Sequence, residues 1–160
     1  MIKRTMIIII LFVMFMGFAF AVDADHTIVP GVNVGPVYMN RPITDDIYKI
    51  LGKPYAIKPD PNQKNHNTYF WNDLIVSTNN NNGNNIIDNI IVLKPSYETA
   101  QGVKIGMNYE DFKSAMNNIK YQVISDTDKA IVCLYNNTVF IFDKNSKLLT
   151  NLLIKPLVQY

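Results

Sequence analysis

The sequence predicts an α+β fold of two tandem repeats, each a short helical segment packed on an antiparallel β-meander. Three observations favour this fold. Two Gly-Val-x-[Val/Ile]-Gly stretches, Gly31–Gly35 and Gly102–Gly106, lie 71 residues apart. An amphipathic helix pattern follows each of them, and strand patterns separated by turn residues follow each helix. The 160 residues suit one compact domain made of two small halves, residues 31–97 and 98–160.

The N-terminal segment has the three parts of a secretory signal peptide. Met1–Arg4 is basic, Met6–Phe20 carries no charge, and small residues end the segment at Ala19-Phe20-Ala21. A membrane span needs about 20 apolar residues, and this run is shorter. We therefore expect residues 1–21 to be cleaved near Ala21, with a site after Ala24 as the alternative. The remaining chain is then extracytoplasmic, in the periplasm, the envelope or the medium, without a stable membrane anchor.

The first repeat begins after an extended arm, residues 22–30. Thr44 is a good helix N-cap, and Asp45 and Asp46 lie in the first turn, where carboxylates interact favourably with the helix dipole. The next apolar residues have helical spacing and form one stripe: Ile47, Ile50 and Leu51. Gly52 then ends the helix. Two strands, Thr68–Val76 and Ile86–Lys94, read as a hairpin across the loop Asn79–Asn85.

The second repeat follows the same order. Asn108 can cap a helix, with Glu110 and Asp111 in its first turn and an apolar stripe of Phe112, Ala115 and Met116. Four runs then have strand composition and are separated by turn residues: Tyr121–Ser125, Ala130–Tyr135, Val139–Asp143 and Leu148–Ile154.

Composition and charge exclude several classes of function. The net charge is +2, but Lys3 and Arg4 supply that surplus; residues 22–160 carry 13 positive and 13 negative side chains. A balanced chain lacks the concentrated basic surface that nucleic-acid binding requires. A single cysteine excludes an intramolecular disulfide and a zinc knuckle. Cys133 alternates with apolar neighbours, so we interpret it as a core residue, with intermolecular pairing as an alternative.

Two motifs resemble known families. Gly102–Phe112 resembles the Gly-Met-[Ser/Thr]-x-x-x-Val helix entry of the BamE (SmpA/OmlA) outer-membrane-assembly lipoproteins. Leu51-Gly52-Lys53-Pro54 resembles the Leu-Gly-x-Pro that closes the helical segment of that family. A tandem of two such units looks like the β-lactamase inhibitor protein (BLIP) architecture. The resemblance implies a non-enzymatic, protein-binding extracytoplasmic module. The anchoring cysteine of the lipoproteins is absent, and the second helix lacks a Gly-x-Pro end.

No motif for catalysis or metal binding is present. Nucleophile-elbow, phosphate-loop and zinc-protease motifs are missing, and the two histidines have no ligand partner at metal-binding spacing. We interpret His26, close to the expected mature N-terminus, as part of a solvated arm; metal ligation together with a free amine is the minor alternative. The sequence therefore predicts no enzyme, cofactor or metal site. The alternative is an extracytoplasmic hydrolase with carboxylates from the loops Pro59–Asn67 and Ser125–Lys129.

Apolar residues on both sides of the strands are the main functional indication. A sheet with one solvated face should alternate apolar and polar residues, yet both alternating sets are apolar in the last two strands. The second face is then covered either by the arm, a loop or the other half-sheet, or by a partner or second copy. Aromatic residues favour interface centres. We therefore predict partner binding or self-association on an open sheet face at Tyr69, Trp71 and Tyr135.

Overall fold

The structure is a computed structural model that describes residues 26–61, 64–81 and 83–156. The predicted signal peptide, its cleavage near Ala21 or Ala24, and residues 22–25 of the predicted arm lie outside the described residues. The rest of the arm, residues 26–30, contains the strand Thr27–Val29. Neither helix in the described part of the chain is long and apolar enough to cross a membrane.

Twelve strands and two short helices make up the described chain. The helices are α1 (Asp45–Leu51) and α2 (Tyr109–Ala115). The strands are β1 (Thr27–Val29), β2 (Asn33–Val34), β3 (Val37–Tyr38), β4 (Ala56–Pro59), β5 (His66–Phe70), β6 (Leu74–Asn81), β7 (Asn84–Val92), β8 (Glu98–Thr99), β9 (Gln122–Asp126), β10 (Ala130–Tyr135), β11 (Thr138–Asp143) and β12 (Leu149–Ile154).

Eight of the strands form one large antiparallel sheet. Its order is β4-β5-β6-β7-β12-β11-β10-β9, so two consecutive meanders join edge to edge where β7 pairs with β12. The remaining four strands form a small sheet in the order β3-β2-β1-β8. In this small sheet β1 pairs in parallel with β8, which connects the start of the described chain to its middle.

The predicted α+β fold of two helix-on-meander repeats is wrong. The described part of the chain is mostly β, with 47% of its residues in strands and 12% in helices. Each helix has only seven residues, about two turns, which is too short to form a helical layer on its own meander. The small sheet provides much of the missing layer, and β7 and β12 merge the meanders into a single sheet. The similar glycine motifs also differ in structure, because Gly31–Gly35 contains β2 whereas Gly102–Gly106 contains no strand.

The two helices form where the sequence predicts them. Asn108 caps α2, since its side-chain oxygen accepts a hydrogen bond from the backbone N–H of Glu110 at 2.9 Å. Thr44 occupies the N-cap of α1 in an extended conformation, but its side chain makes no capping bond. Gly52 ends α1 with φ +76°, a left-handed backbone value that suits glycine.

Both helices and the small sheet cover the same face of the large sheet, called the core face below. Phe112 of α2 packs against Phe140 and Phe142, with ring centroids 5.2 and 5.0 Å apart. On the side of the small sheet, the N–H of Gly31 donates a hydrogen bond to the hydroxyl of Thr138 at 2.9 Å. One row of direct cross-strand partners on this face is fully buried: Leu74, Val92, Leu152, Phe140 and Cys133.

The strand predictions were accurate in the second half and partly wrong in the first. Strands β9 to β12 confirm the four predicted runs to within one or two residues at each end. The predicted strand Thr68–Val76 is instead two strands, because a tight turn at residues 71–73 separates β5 from β6. The predicted hairpin is confirmed as β6 and β7, but the predicted loop Asn79–Asn85 is wrong in extent, because β6 continues to Asn81 and β7 begins at Asn84.

Candidate functional site

An apolar surface lies on the face of the large sheet opposite the helices. Cross-strand pairing connects one row of side chains over six adjacent strands, and a second, shorter row lies beside it on β10 and β11. We call these eight residues the outer patch: Phe70, Ile75, Ile91, Leu153, Val139, Leu134, Ile141 and Val132.

Every residue of the outer patch is half-buried, whereas its neighbours on the same strands face the core and, except for the half-buried Tyr135, are buried. None of the eight belongs to the buried core or packs against it. The partial burial arises because side chains on neighbouring strands shield one another. At about 4.8 Å between strands, six strands span roughly 24 Å. The outer patch is therefore a broad apolar surface.

Polar and charged residues border the outer patch along one side. Moving two residues along the strands from Phe70, Ile75 and Ile91 leads to Thr68, Ser77 and Asn89, which are direct cross-strand partners. The ammonium of Lys58 lies 5.5 Å from the ring centroid of Phe70, within the range of a cation–π contact.

A cavity of about 460 Å³ opens on this polar border. Within it the Nε2 atom of His66 lies 3.2 Å from a carboxylate oxygen of Asp88, and the other ring nitrogen lies 3.3 Å from the carbonyl oxygen of Lys64. Asp60 and Lys155 also line the cavity. The imidazole thus lies between two oxygen atoms, one near each ring nitrogen.

The structure places the three predicted contact residues on the core face. Tyr69 and Tyr135 belong to one row of cross-strand partners on this face, which runs through Val76, Ile90, Ile154 and Thr138. Tyr69 is 5% exposed and Trp71 is 6% exposed, whereas Tyr135 is half-buried at the other side of the sheet. The structure therefore brings Tyr69 and Trp71 together and leaves Tyr135 apart from them.

Trp71 is held under α1. Its ring stacks on Tyr69 with centroids 6.1 Å apart and contacts Tyr48 of α1 at 6.3 Å. Its indole N–H donates a hydrogen bond to the carbonyl oxygen of Gly52 at 2.8 Å, which connects the end of the helix to the sheet. Burial, followed by the nearby Tyr69 and Asp45, raises the pKa of the Tyr48 hydroxyl. These aromatic residues fix α1 on the sheet.

Two irregularities of the backbone change which face of the sheet a side chain occupies. If residues alternated without interruption from Tyr69 to Val76, these two side chains would lie on opposite faces of the sheet. The turn at residues 71–73 interrupts the alternation, so Tyr69 and Val76 are direct cross-strand partners on the same face. A bulge between Ile141 and Phe142 likewise brings Leu149 to the core face, although Leu153 faces outward. The signal for the outer patch was the apolar composition on both sides of each strand, and only the register identifies its members.

The carboxylates of the two predicted hydrolase loops lie far apart. One loop joins β4 to β5 at one edge of the large sheet, and the other joins β9 to β10 at the opposite edge. Seven strand spacings separate these edges, roughly 34 Å measured along the sheet. A glycosidase pair requires carboxyl groups within about 5–9.5 Å. Among the residues that the structure describes, no three His, Cys, Asp or Glu side chains group closely enough to hold a metal ion.

Cys133 lies in the core next to Tyr109. Burial raises the pKa of the Cys133 thiol to about 11, even though a hydrogen bond with Tyr109 acts in the opposite direction. Burial, together with Cys133 and Tyr121, raises the pKa of Tyr109 to about 12. The thiol is therefore uncharged at neutral pH, which is the state expected of a core residue and not of a nucleophile.

Comparison with known proteins identifies no family. No family model matches the sequence, and no curated protein matches it. Among solved structures, a cysteine-rich secretory protein of Staphylococcus aureus subsp. aureus Mu50 is 14% identical, with a TM-score of 0.49 over 74% of this chain. The chain spans 44% of that protein.

Two further structures are similar at the same level. The uncharacterised protein YfeY of Escherichia coli is 15% identical with a TM-score of 0.47, over 79% of this chain and 98% of its own. YjgB of Bacillus subtilis, a DUF4309 family protein, is 13% identical with a TM-score of 0.45, over 83% of this chain and 89% of its own. Similarity at this level assigns neither a family nor an activity to this chain.

Proposed function

We propose that the protein is an exported, non-catalytic binding module that recognises another protein through the outer patch. The observation that carries this proposal is the half-buried apolar row across six strands, on the face that the helices and the small sheet leave uncovered. Large contiguous apolar surfaces on soluble domains are typical of interaction sites.

The shape of the outer patch favours a protein as its occupant. Small ligands bind in concave sites that enclose most of their surface. The outer patch spans roughly 24 Å across six strands, a breadth that suits the surface of about 800 Å² that each partner contributes to a standard protein interface. Its border of hydroxyl, amide and lysine side chains matches the polar rim that surrounds an interface core.

A photocrosslinking amino acid at Val139 tests this proposal. We expect adducts with a second protein when the chain is expressed in its own cell, because Val139 lies inside the outer patch. The same crosslinker at Val123, which is 51% exposed on β9, serves as the control for accessibility. Equal adducts at both positions, or none at Val139, would contradict the proposal. An adduct of twice the chain's mass would identify the occupant as a second copy instead.

The hydrolase remains the weaker alternative. The loops that would supply its carboxylates lie at opposite edges of the sheet, and only Asp60 of the first loop lines the cavity at His66. Its partner there would be Asp88. Substitution Asp88→Asn tests this alternative, since a hydrolase that uses this cavity should lose its activity while an interaction through the outer patch persists.

A further inference from the structure

One polar side chain lies among the apolar residues of the outer patch. Asn151 is the direct cross-strand partner of Ile141, and Leu153 lies two residues farther along the same strand. Both neighbours belong to the outer patch, so Asn151 points to the same face and lies in the corner between its two rows. The strand β12 is the fourth of the six that the longer row crosses, so this position is near the middle of the surface.

The bulge in β12 sets the direction of Asn151. Ile141 pairs with Asn151 and Phe142 pairs with Leu149, so Thr150 is the extra residue of the bulge. Uninterrupted alternation from Leu149, which is buried on the core face, would direct Asn151 into the core. The bulge instead places its amide on the outer face, beside apolar neighbours.

The amide of Asn151 is available to a partner. Within the described part of the chain it makes no hydrogen bond, and its polar atoms are not fully buried. The hydroxyl groups on the border of the outer patch differ in this respect, because those of Thr68 and Ser77 lie 3.3 Å apart and hydrogen-bond to each other. Solvent can satisfy the Asn151 amide until another molecule covers the surface.

Covering the outer patch removes solvent from this amide, which carries two N–H donors and one oxygen acceptor. A buried polar group without a hydrogen bond weakens binding by roughly 5- to 150-fold, so the partner must supply a polar group at this point. A charged group is disfavoured there, because Ile141 and Leu153 would shield it from water and Asn151 offers no opposite charge. The group that fits is therefore neutral.

We infer that the partner places an amide, either a main-chain peptide group or a carboxamide side chain, against Asn151 in an otherwise apolar contact. An amide supplies both a donor and an acceptor, so the two groups exchange hydrogen bonds. Asn151 is then a specificity residue, because a purely apolar surface on a competing protein would leave it unpaired. The inference rests on the proposed function, since it specifies the partner of the same surface.

The protein that a crosslinker at Val139 captures is the probe for this inference. Mass spectrometry identifies it from the wild-type adduct, and the purified partner is titrated against three variants of the chain. Asn151→Leu keeps the size of the side chain and removes its polar atoms, whereas Asn151→Asp keeps the shape and removes the donors. Asn118→Leu, at an exposed asparagine after α2, is the matched control. Urea unfolding verifies that each variant folds.

We expect Asn151→Leu and Asn151→Asp to lower the affinity for the partner by at least about fivefold, and Asn118→Leu to leave it unchanged. Wild-type affinity in either Asn151 variant, or an equal loss in the control, would overturn the inference while the adduct at Val139 still supports the proposed function. If the wild-type chain captures no protein at Val139, both fail.

Discussion

Leu152 and Leu153 are adjacent in β12 and point to opposite faces of the large sheet. Leu152 is fully buried between Val92 and Phe140, whereas Leu153 is half-buried between Ile91 and Val139. The substitutions Leu152→Ala and Leu153→Ala remove the same atoms from the same strand. Any difference between them therefore reports on the two faces and not on β propensity or residue type.

The structure sets the size of the two effects. At Leu152 the lost apolar burial and the resulting cavity should lower the free energy of unfolding by about 3 kcal/mol, the middle of the range for buried leucine. At Leu153 the side chain already contacts solvent, so water fills the vacated space and the cavity term disappears. The remaining loss of transfer free energy for a half-buried group is about 1 kcal/mol. The expected difference is about 2 kcal/mol.

Urea unfolding followed by far-UV circular dichroism measures both values. The denaturant slope should remain the same for the two variants, so that the midpoints compare directly. If Leu153→Ala destabilised the protein as much as Leu152→Ala, the outer patch would be covered by part of the chain itself. The reasoning that makes it a binding surface would then be refuted.

Three further predictions follow from the structure. Gly31 and Gly102 both have left-handed φ values, +77° and +76°, but only at Gly31 would an added Cβ overlap another group, the carbonyl oxygen of Asn136. Gly31→Ala should therefore lower the free energy of unfolding by more than about 2 kcal/mol, and Gly102→Ala by about 1 kcal/mol. Thermal unfolding measures both. The pKa of Tyr109 is about 12 in the folded chain and 10.0 in the unfolded chain, so its contribution to stability should be lost as pH rises from 10 to 12. Tyr109→Phe should reduce that loss, which urea unfolding at several pH values measures. The backbone and side chain of Ser146 lower the pKa of Asp143, so the contribution of this carboxylate to stability should be lost as pH falls through that lowered pKa. Asp143→Asn should therefore weaken the acid dependence of the free energy of unfolding, and an acid dependence equal to that of the wild type would contradict this.

Local patterns in the sequence predicted individual elements better than their assembly. Helical spacing and capping residues located α1 and α2, and strand composition located β9 to β12. The small sheet was missed because its strands are two or three residues long, too short for alternation to be detected. The pairing of β7 with β12 was missed because it joins distant segments, and no local pattern specifies that contact.

The candidate site was predicted in kind but not in position. Apolar residues on both sides of the strands correctly indicated a second apolar face, which the structure shows as the outer patch. The residues named for it depended on uninterrupted alternation through Trp71. The turn after β5 breaks that alternation and buries the aromatic pair Tyr69 and Trp71 under α1. Register decides which face a side chain occupies, and a single turn or bulge shifts it.

The central claim is that one face of the large sheet is closed by the chain and the other is open. Ile90 and Ile91 are neighbours on β7 that face the core and the outer patch, respectively. A soluble paramagnetic relaxation agent, observed in methyl NMR spectra of the purified protein, compares their exposure directly. The account predicts strong relaxation enhancement for the methyl groups of Ile91 and little for those of Ile90. Equal protection of both would contradict it.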